Sequence, residues 1–349
     1  MIPIKRHRTR KVYIGDVPVG GGSPITVQSM TNTDSHNIKE LIEQILELEK
    51  AGCSLIRIAL PDMDACDSIP ALKKRIHIPL IGDVHFDHRI AIRAIEKGID
   101  ALRLNPGNIR EKEKVKGIVK LAKKRKIPIR IGVNSGSVDR RKYSSNSPES
   151  LIKSALDHIK ILEKEDFSDI IVSLKSTDVL ITIEAYKKFA TLRDYPLHIG
   201  ITEAGTRIYG SLKSAVGLGI LLYLGLGDTI RVSLSASPVE EVTTGYRILR
   251  SLGIYTRSVE VISCPTCART AFDVENTALR IETLVSGIRK RMKIAIMGCL
   301  VNGPGEARDA DIGVAGSKNE VLLFKKGRLI KKIRPDRIEQ EIMEWIKKS

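Results

Sequence analysis

Cys264 and Cys267 stand two residues apart in "SCPTCART", the spacing of half a metal site, and Cys299 follows in "MGCLVNGPGE". A Cys-x-x-Cys pair completed by a single later thiol matches neither a four-thiolate zinc ribbon nor a two-cluster ferredoxin run. Three thiolates and one weaker ligand suit an iron–sulfur cluster, because the odd ligand singles out one iron as the reactive one. Glu306 offers that ligand, carried past a Gly-Pro-Gly turn whose glycines let the backbone come close. Its carboxylate is a hard, exchangeable donor that a substrate oxygen could displace. A structural zinc held by three Cys and a carboxylate or His accounts for the same residues and remains an alternative. Cys53 and Cys66 have no ligand partners nearby and are expected to be ordinary thiols.

The second set of chemical residues is cationic. From Ile25 to Gly253 eight short β-branched runs alternate with amphipathic stretches: "ITVQSM", "LIRIAL", "LIGDVH", "ALRLNP", "IRIGVN", "IIVSLK", "LHIGIT" and "TIRVSL". Such alternation predicts parallel strands joined by helical crossovers, and eight repeats suit a closed (β/α)8 barrel better than an open doubly wound sheet. Several strands set an Arg between aliphatics. With a period of two, Arg57, Arg103, Arg130 and Arg231 share a phase with Ala59, Asn105, Asn134 and Ser233; Asp83 pairs with His85 and Ser173 with Lys175. These polar residues are expected to face the barrel interior toward the C-terminal strand ends, where active sites of such barrels lie. Asp83 and Glu203 neutralise only part of five cations, so an anion site, most simply for phosphate groups, is expected there; rim salt bridges are the plain alternative. "NPGNIREKE" offers a helix-entry turn suited to phosphate, and the loop 135–149 reads as a lid or a surface loop.

The frame around these residues is ordinary. Of 349 residues, 42% are hydrophobic and 28% charged, and no run nears the ~20 apolar residues that span a bilayer. A basic N-terminus without an apolar stretch carries no secretory signal, so a cytoplasmic protein is expected. Fifty-eight Lys and Arg against 41 Asp and Glu give a net charge of +17, which favours polyanions or phosphorylated small molecules; 4% aromatic residues argue against a base-stacking nucleic-acid site. Two domains are expected, a barrel over 1–253 and an α+β domain over 254–349. In the latter, strands are predicted at "SVEVIS", "KIAIMGC", "DIGVAG" and "VLLFKKGRLI", with helices through "DVENTALRIETLVSGIRK" and "RPDRIEQEIMEWIKK".

"CPTC" and "MGCLVNGPGEARDADIG", with "QSMTNTD", "RLNPGNI", "RIGVNSGS" and "GITEAG", closely resemble the 4-hydroxy-3-methylbut-2-enyl diphosphate synthase family of the non-mevalonate isoprenoid pathway. The resemblance runs from about Tyr13 to the "DIG" strand and matches the short two-domain form. It implies reductive dehydration and ring opening of 2-C-methyl-D-erythritol 2,4-cyclodiphosphate. It also implies a 4Fe-4S cluster on Cys264, Cys267 and Cys299 with Glu306 as fourth ligand. Arg57, Arg103, Arg130 and Lys175, with Asn134, would hold the diphosphate. Glu203 would be an acid–base residue, and reduced flavodoxin or ferredoxin would supply electrons. Asp83, His85, Asn105 and Arg231 complete the candidate substrate contacts.

Topology adds one expectation. The eighth helix ends at the barrel floor, and the stretch from Leu252 to Cys264 barely reaches back to the mouth. A homodimer in which each cluster domain caps the partner's barrel is therefore expected, as the resembled family also shows. The competing readings are a zinc-stabilised barrel binding RNA and a pterin- or phosphate-binding barrel transferase.

Overall fold

The computed structural model describes residues 3–85, 87–104, 112–138, 143, 146–255, 258–301, 303–317 and 320–349, without the side chains of 112, 137, 304 and 306. Asn105 with the whole "NPGNIR" stretch and most of "DRRKYSSN" lie outside them, as does the Glu306 side chain. The chain forms two compact units, Met1–Leu252 and Gly253–Ser349.

The first unit opens with an antiparallel hairpin, β1 (Lys11–Ile14) and β2 (Val17–Gly20). Eight strands follow: β3 (Thr26–Met30), β4 (Leu55–Ala59), β5 (Leu80–Val84), β6 (Ala101–Leu104), β7 (Ile129–Asn134), β8 (Ile170–Lys175), β9 (His198–Ile199) and β10 (Thr229–Ile230). They pair in parallel in the order β8-β7-β6-β5-β4-β3-β10-β9, and a parallel bridge from Val172 to Leu197 joins the two ends. The sheet is thus a closed (β/α)8 barrel, with a strand in each of the eight apolar runs.

Helices α1 (Ile38–Lys50), α2 (Met63–Asp67), α3 (Ile69–Lys73), α4 (His88–Glu96), α5 (Lys112–Arg125), α6 (Pro148–Glu163), α7 (Val179–Ala190), α8 (Arg207–Tyr223) and α9 (Pro238–Ser251) make the crossovers. Local chemistry sets their ends. Asn37 caps α1 by accepting from the Glu40 N–H; Leu41, Ile45 and Leu48 bury one face, and Gly52 at φ +98 stops the helix. The second crossover is broken into α2 and α3 at Ser68, with Pro70 in the first turn of α3.

The interior is layered. Leu55, Ile81, Ala101 and Ile171 form an apolar floor packed against Val12, Ile14 and Val19 of the β1–β2 hairpin, which plugs the N-terminal face. That hairpin was not anticipated from the sequence. One step up each strand, the inward positions become polar, and this layer carries the candidate site.

The second unit is a five-stranded sheet in the order β11 (Val259–Ser263), β12 (Met292–Met297), β13 (Ile312–Gly316), β14 (Val321–Lys325) and β15 (Arg328–Ile333). The first three are parallel and the last two antiparallel to their neighbours. Helices α10 (Val274–Val285) and α12 (Ile338–Lys348) pack Ile281, Val285, Ile342 and Ile346 against it, and α11 (Gly303–Glu306) is one short turn. One expectation needs correction: "VLLFKKGRLI" is two strands. Lys326 and Gly327 take φ +46 and +74, which folds the run into a hairpin.

Candidate functional site

Strand register brings the predicted cations together. Arg103 pairs with Arg130 across β6–β7, Asp83 with Arg103 across β5–β6, Ala59 with Asp83 across β4–β5, and Asn134 with Lys175 across β7–β8. Arg103, Arg130, Lys175 and Asp83 are buried, while Arg57 and Arg231 have only the edges of their side chains in solvent.

Asp83 lies at the centre of the charge pattern. Its Oδ1 is 3.3 Å from Arg103 Nη1, its Oδ2 is 3.7 Å from Arg57 Nε and 3.5 Å from His85 Nε2. Burial alone would raise its pKa; Arg57, His85 and Arg103 outweigh that and hold the carboxyl well below the usual carboxylate range. Arg103 also donates to the Gly132 carbonyl at 3.2 Å, and a Cβ on Gly132 would stand 2.9 Å from Arg103 Nε.

The remaining cations have few carboxylates. Arg130 Nη1 donates to Gln28 Oε1 at 2.7 Å, and its buried Nε has no partner among the described residues. Burial and the neighbouring Arg57 and Arg103 push its pKa well down; burial, then Arg130, Arg231 and Arg57, do the same to Lys175. Arg57 is pushed down to about 9 by burial, against the opposing pull of Asp83. Its guanidinium contacts Met30 Sδ at 2.9 Å. Arg231 Nε lies 3.5 Å from Glu241 Oε2, and Glu241 also accepts from Ser29 Oγ and the Leu234 N–H. Burial works against positive charge here, and an anion placed among these side chains would offset it.

This arrangement corrects one sequence expectation. The second carboxylate among the cations is Glu241 on α9, whereas Glu203 is exposed in the loop after β9. Glu203 holds φ +49, a left-handed conformation that costs a non-glycine residue of order 1 kcal/mol or more. Gln28, Met30, His198 and Glu241 were not picked out from the sequence, yet Gln28 and Met30 obey the same period of two in "TVQSM". Asn134 and His85 are placed at the strand ends, half-buried and exposed respectively.

In the second unit, β11 and β12 pair in register, Ser263 with Ile296, so Cys264 and Cys299 emerge at the same sheet edge. The Gly298 N–H donates to Cys264 Sγ at 3.0 Å, and the Ala271 N–H donates to the Gly298 carbonyl at 2.9 Å, lacing the two cysteine segments together. Gly298 and Gly316 meet backbone to backbone: a Cβ on Gly316 would strike the Gly298 carbonyl. Cys267 is exposed, and Cys264 and Cys299 are half-buried. Among the described residues no three Cys, His, Asp or Glu side chains converge as a ready-made metal site. Shared edge, soft donors and an N–H aimed at a sulfur fit a cluster held by thiolates. Cys53 and Cys66 are buried in the first unit, and burial pushes the Cys53 thiol up to about 12.

Comparison with known proteins covers both units. The GcpE TIM-barrel domain matches residues 9–246, and the GcpE protein C-terminal domain matches residues 260–348. The chain is 52% identical over 346 residues to the 4-hydroxy-3-methylbut-2-en-1-yl diphosphate synthase (flavodoxin) of Caldanaerobacter subterraneus subsp. tengcongensis, covering 98% of each chain. It is 50% identical to the protein of the same description from Geobacillus thermodenitrificans, covering 99% of this chain and 93% of that one. Among solved structures, Yersinia pestis dihydropteroate synthase (TM-score 0.51, 14% identity, 70% of this chain and 98% of that one) shares the barrel fold. So does Geobacillus kaustophilus 3-dehydroquinate dehydratase (TM-score 0.52, 12% identity, 71% and 99%).

Proposed function

The chain belongs to the GcpE family, and from that premise we propose that it is the oxidoreductase that forms 4-hydroxy-3-methylbut-2-enyl diphosphate from 2-C-methyl-D-erythritol 2,4-cyclodiphosphate. The reaction is a two-electron reductive dehydration with ring opening, with flavodoxin as the electron donor named for the relatives; ferredoxin is the other candidate. The observation that carries the reading is the inward cation layer, which is electrostatically incomplete without a polyanion.

Arg57, Arg103, Arg130 and Lys175 hold the diphosphate, with Asn134 and Arg231 at its margins. Asp83 fixes Arg57 and Arg103 in place, and with His85 borders the substrate. Asn105 joins this set by its position after β6. Glu203, held at positive φ beyond β9, moves a proton to or from the opened substrate. In the second unit Cys264, Cys267, Cys299 and the Glu306 carboxylate would hold a 4Fe-4S cluster, which supplies one-electron transfers and an iron with an exchangeable oxygen ligand. The Gly298 N–H on Cys264 Sγ stabilises the thiolate charge.

The functional unit is a homodimer. Helix α9 ends at the barrel floor, and residues 252–258 before β11 span at most roughly 24 Å when extended, which supports a second unit that caps a partner's barrel. An exposed apolar face supports this reading. Ile208, Tyr209, Leu212, Val216, Ile220 and Tyr223 form an exposed apolar stripe on α8, with Leu224 beyond its end. A contiguous stripe of large apolar side chains left in water is the usual mark of an interface between protein subunits.

The test is the metal content of anaerobically purified protein. Brown protein with iron and acid-labile sulfide in equal amounts supports the reading; colourless protein with stoichiometric zinc removes it. Glu306→Ala should leave a labile cluster and little turnover, and unchanged turnover would remove Glu306 from the ligand set.

A further inference from the structure

One imidazole in the barrel interior has no part in the reading above. His198 is fully buried on β9, two residues before Gly200, and its Nε2 lies 3.2 Å from Lys175 Nζ. We infer that His198 is the positioning residue of Lys175: its Nε2 accepts a hydrogen bond from Nζ and aims the amine along the inner wall, while its Nδ1–H faces ordered water near the barrel floor.

Three independent features support this. Lys175 reaches His198 only because the neighbouring position is glycine: a Cβ on Gly200 would stand 2.7 Å from Nζ and strike the Arg231 carbonyl. The β9 backbone is itself anchored, since Tyr186 Oη on α7 donates to the His198 carbonyl at 2.6 Å and accepts from the Leu174 N–H. On the other side of the ring, Nδ1 has no partner among the described residues. Neither has the hydroxyl of Thr229, which pairs in register with His198, nor that of Thr26, which pairs with Thr229. Three adjacent buried polar groups left unmatched by protein are the signature of bound water.

Charge fixes the protonation state. His198 is faced by Lys175 on β8, Arg130 on β7, Arg57 on β4 and Arg231 just after β10; Glu241 on α9, nearest Arg231, is the opposing charge near Lys175. Burial first, then these cations, hold the imidazole neutral. A neutral ring with Nδ1 protonated has one acceptor, and Lys175 occupies it. A carboxylate in that place would pair with the amine and compete with a bound anion, whereas imidazole orients the amine without neutralising it.

The affinity arm of the test rests on the diphosphate reading; the spectroscopic arm does not. With inorganic pyrophosphate as probe, His198→Leu and Lys175→Met should each weaken binding by about tenfold, the loss of one charge-assisted hydrogen bond. The double variant should be no weaker than Lys175→Met. His198→Gln, whose Oε1 can stand in for Nε2, should recover binding to within about threefold, whereas the shorter His198→Asn should not. Additive losses in the double variant, or equal failure of Gln and Asn, would overturn the assignment. In the ligand-free protein, ¹⁵N spectra of His198 should show the Nδ1–H tautomer, with the Nε2 signal moving in Lys175→Met. An unmoved Nε2 signal overturns it whether or not pyrophosphate binds, and absence of binding by the wild type would instead count against the diphosphate reading.

Discussion

Asp83→Asn should weaken the fold of the barrel and strengthen its grip on an anion. Asp83 is buried with Arg103 Nη1 at 3.3 Å and Arg57 Nε at 3.7 Å. At an effective dielectric of about 20, each contact is worth roughly 4–5 kcal/mol of gross attraction, much of it offset by desolvation. Removing one partner of such a buried set costs about 3 kcal/mol, since the guanidinium groups stay buried without their counter-charge. Because the carboxyl titrates below the usual range, its contribution is fully present above the unfolded-state pKa of about 3.9 and is lost as pH falls through the lower folded value. The variant should therefore be less stable at pH 7 and should show a shallower decline of stability below about pH 4. Urea unfolding by far-UV circular dichroism measures this, with fluorescence of Trp345, the single tryptophan, following the second unit separately. Pyrophosphate affinity, measured by titration calorimetry, should rise by about tenfold, because the layer has lost a competing negative charge. A variant as stable as the wild type, or a destabilised one whose pyrophosphate affinity falls, would refute the view that the cations are under-compensated.

Three further outcomes follow from the same geometry. Gly200→Ala forces a methyl against Lys175 Nζ and the Arg231 carbonyl, so it should cost about 1–3 kcal/mol of stability and raise KM for the cyclic diphosphate, read by urea unfolding and steady-state kinetics. Binding of sulfate, an anion that does not itself titrate near neutral pH, should take up protons wherever Lys175 is partly deprotonated, because the anion raises the depressed pKa of Lys175; calorimetry in buffers of different ionisation enthalpy reads the number, and proton release would contradict the sign. Leu212→Glu with Val216→Glu on α8 should give a monomer by light scattering and abolish most turnover, while the far-UV spectrum is kept; an intact dimer would place the interface elsewhere.

Most of the barrel was legible in the sequence because crossover helices force alternation and barrel strands force a period of two. That rule placed Arg57, Arg103, Arg130, Asp83 and Lys175 on the inner wall. It failed where the local signal was short or shared. The four-residue strands around Gly15 carry too few apolar residues to stand out, and Lys326–Gly327 turns the chain with a residue that seldom takes positive φ. Glu241 was invisible because a helix residue reaches the interior only through tertiary packing. His198 could have been found: "LHIGIT" puts it in phase with Gly200, but a single histidine among aliphatics gives no sign of the lysine it meets. The three cysteines were plain from spacing, and the shared edge of β11 and β12 follows only from strand pairing.

The most direct measurement is product formation by the anaerobic protein supplied with 2-C-methyl-D-erythritol 2,4-cyclodiphosphate and reduced flavodoxin, followed by phosphorus NMR. The account predicts that the cyclic diphosphate signals give way to those of a linear allylic diphosphate, with two electrons consumed per product and no conversion by Cys264→Ser. Persistence of the cyclic diphosphate in the presence of an intact cluster and excess reductant would contradict it.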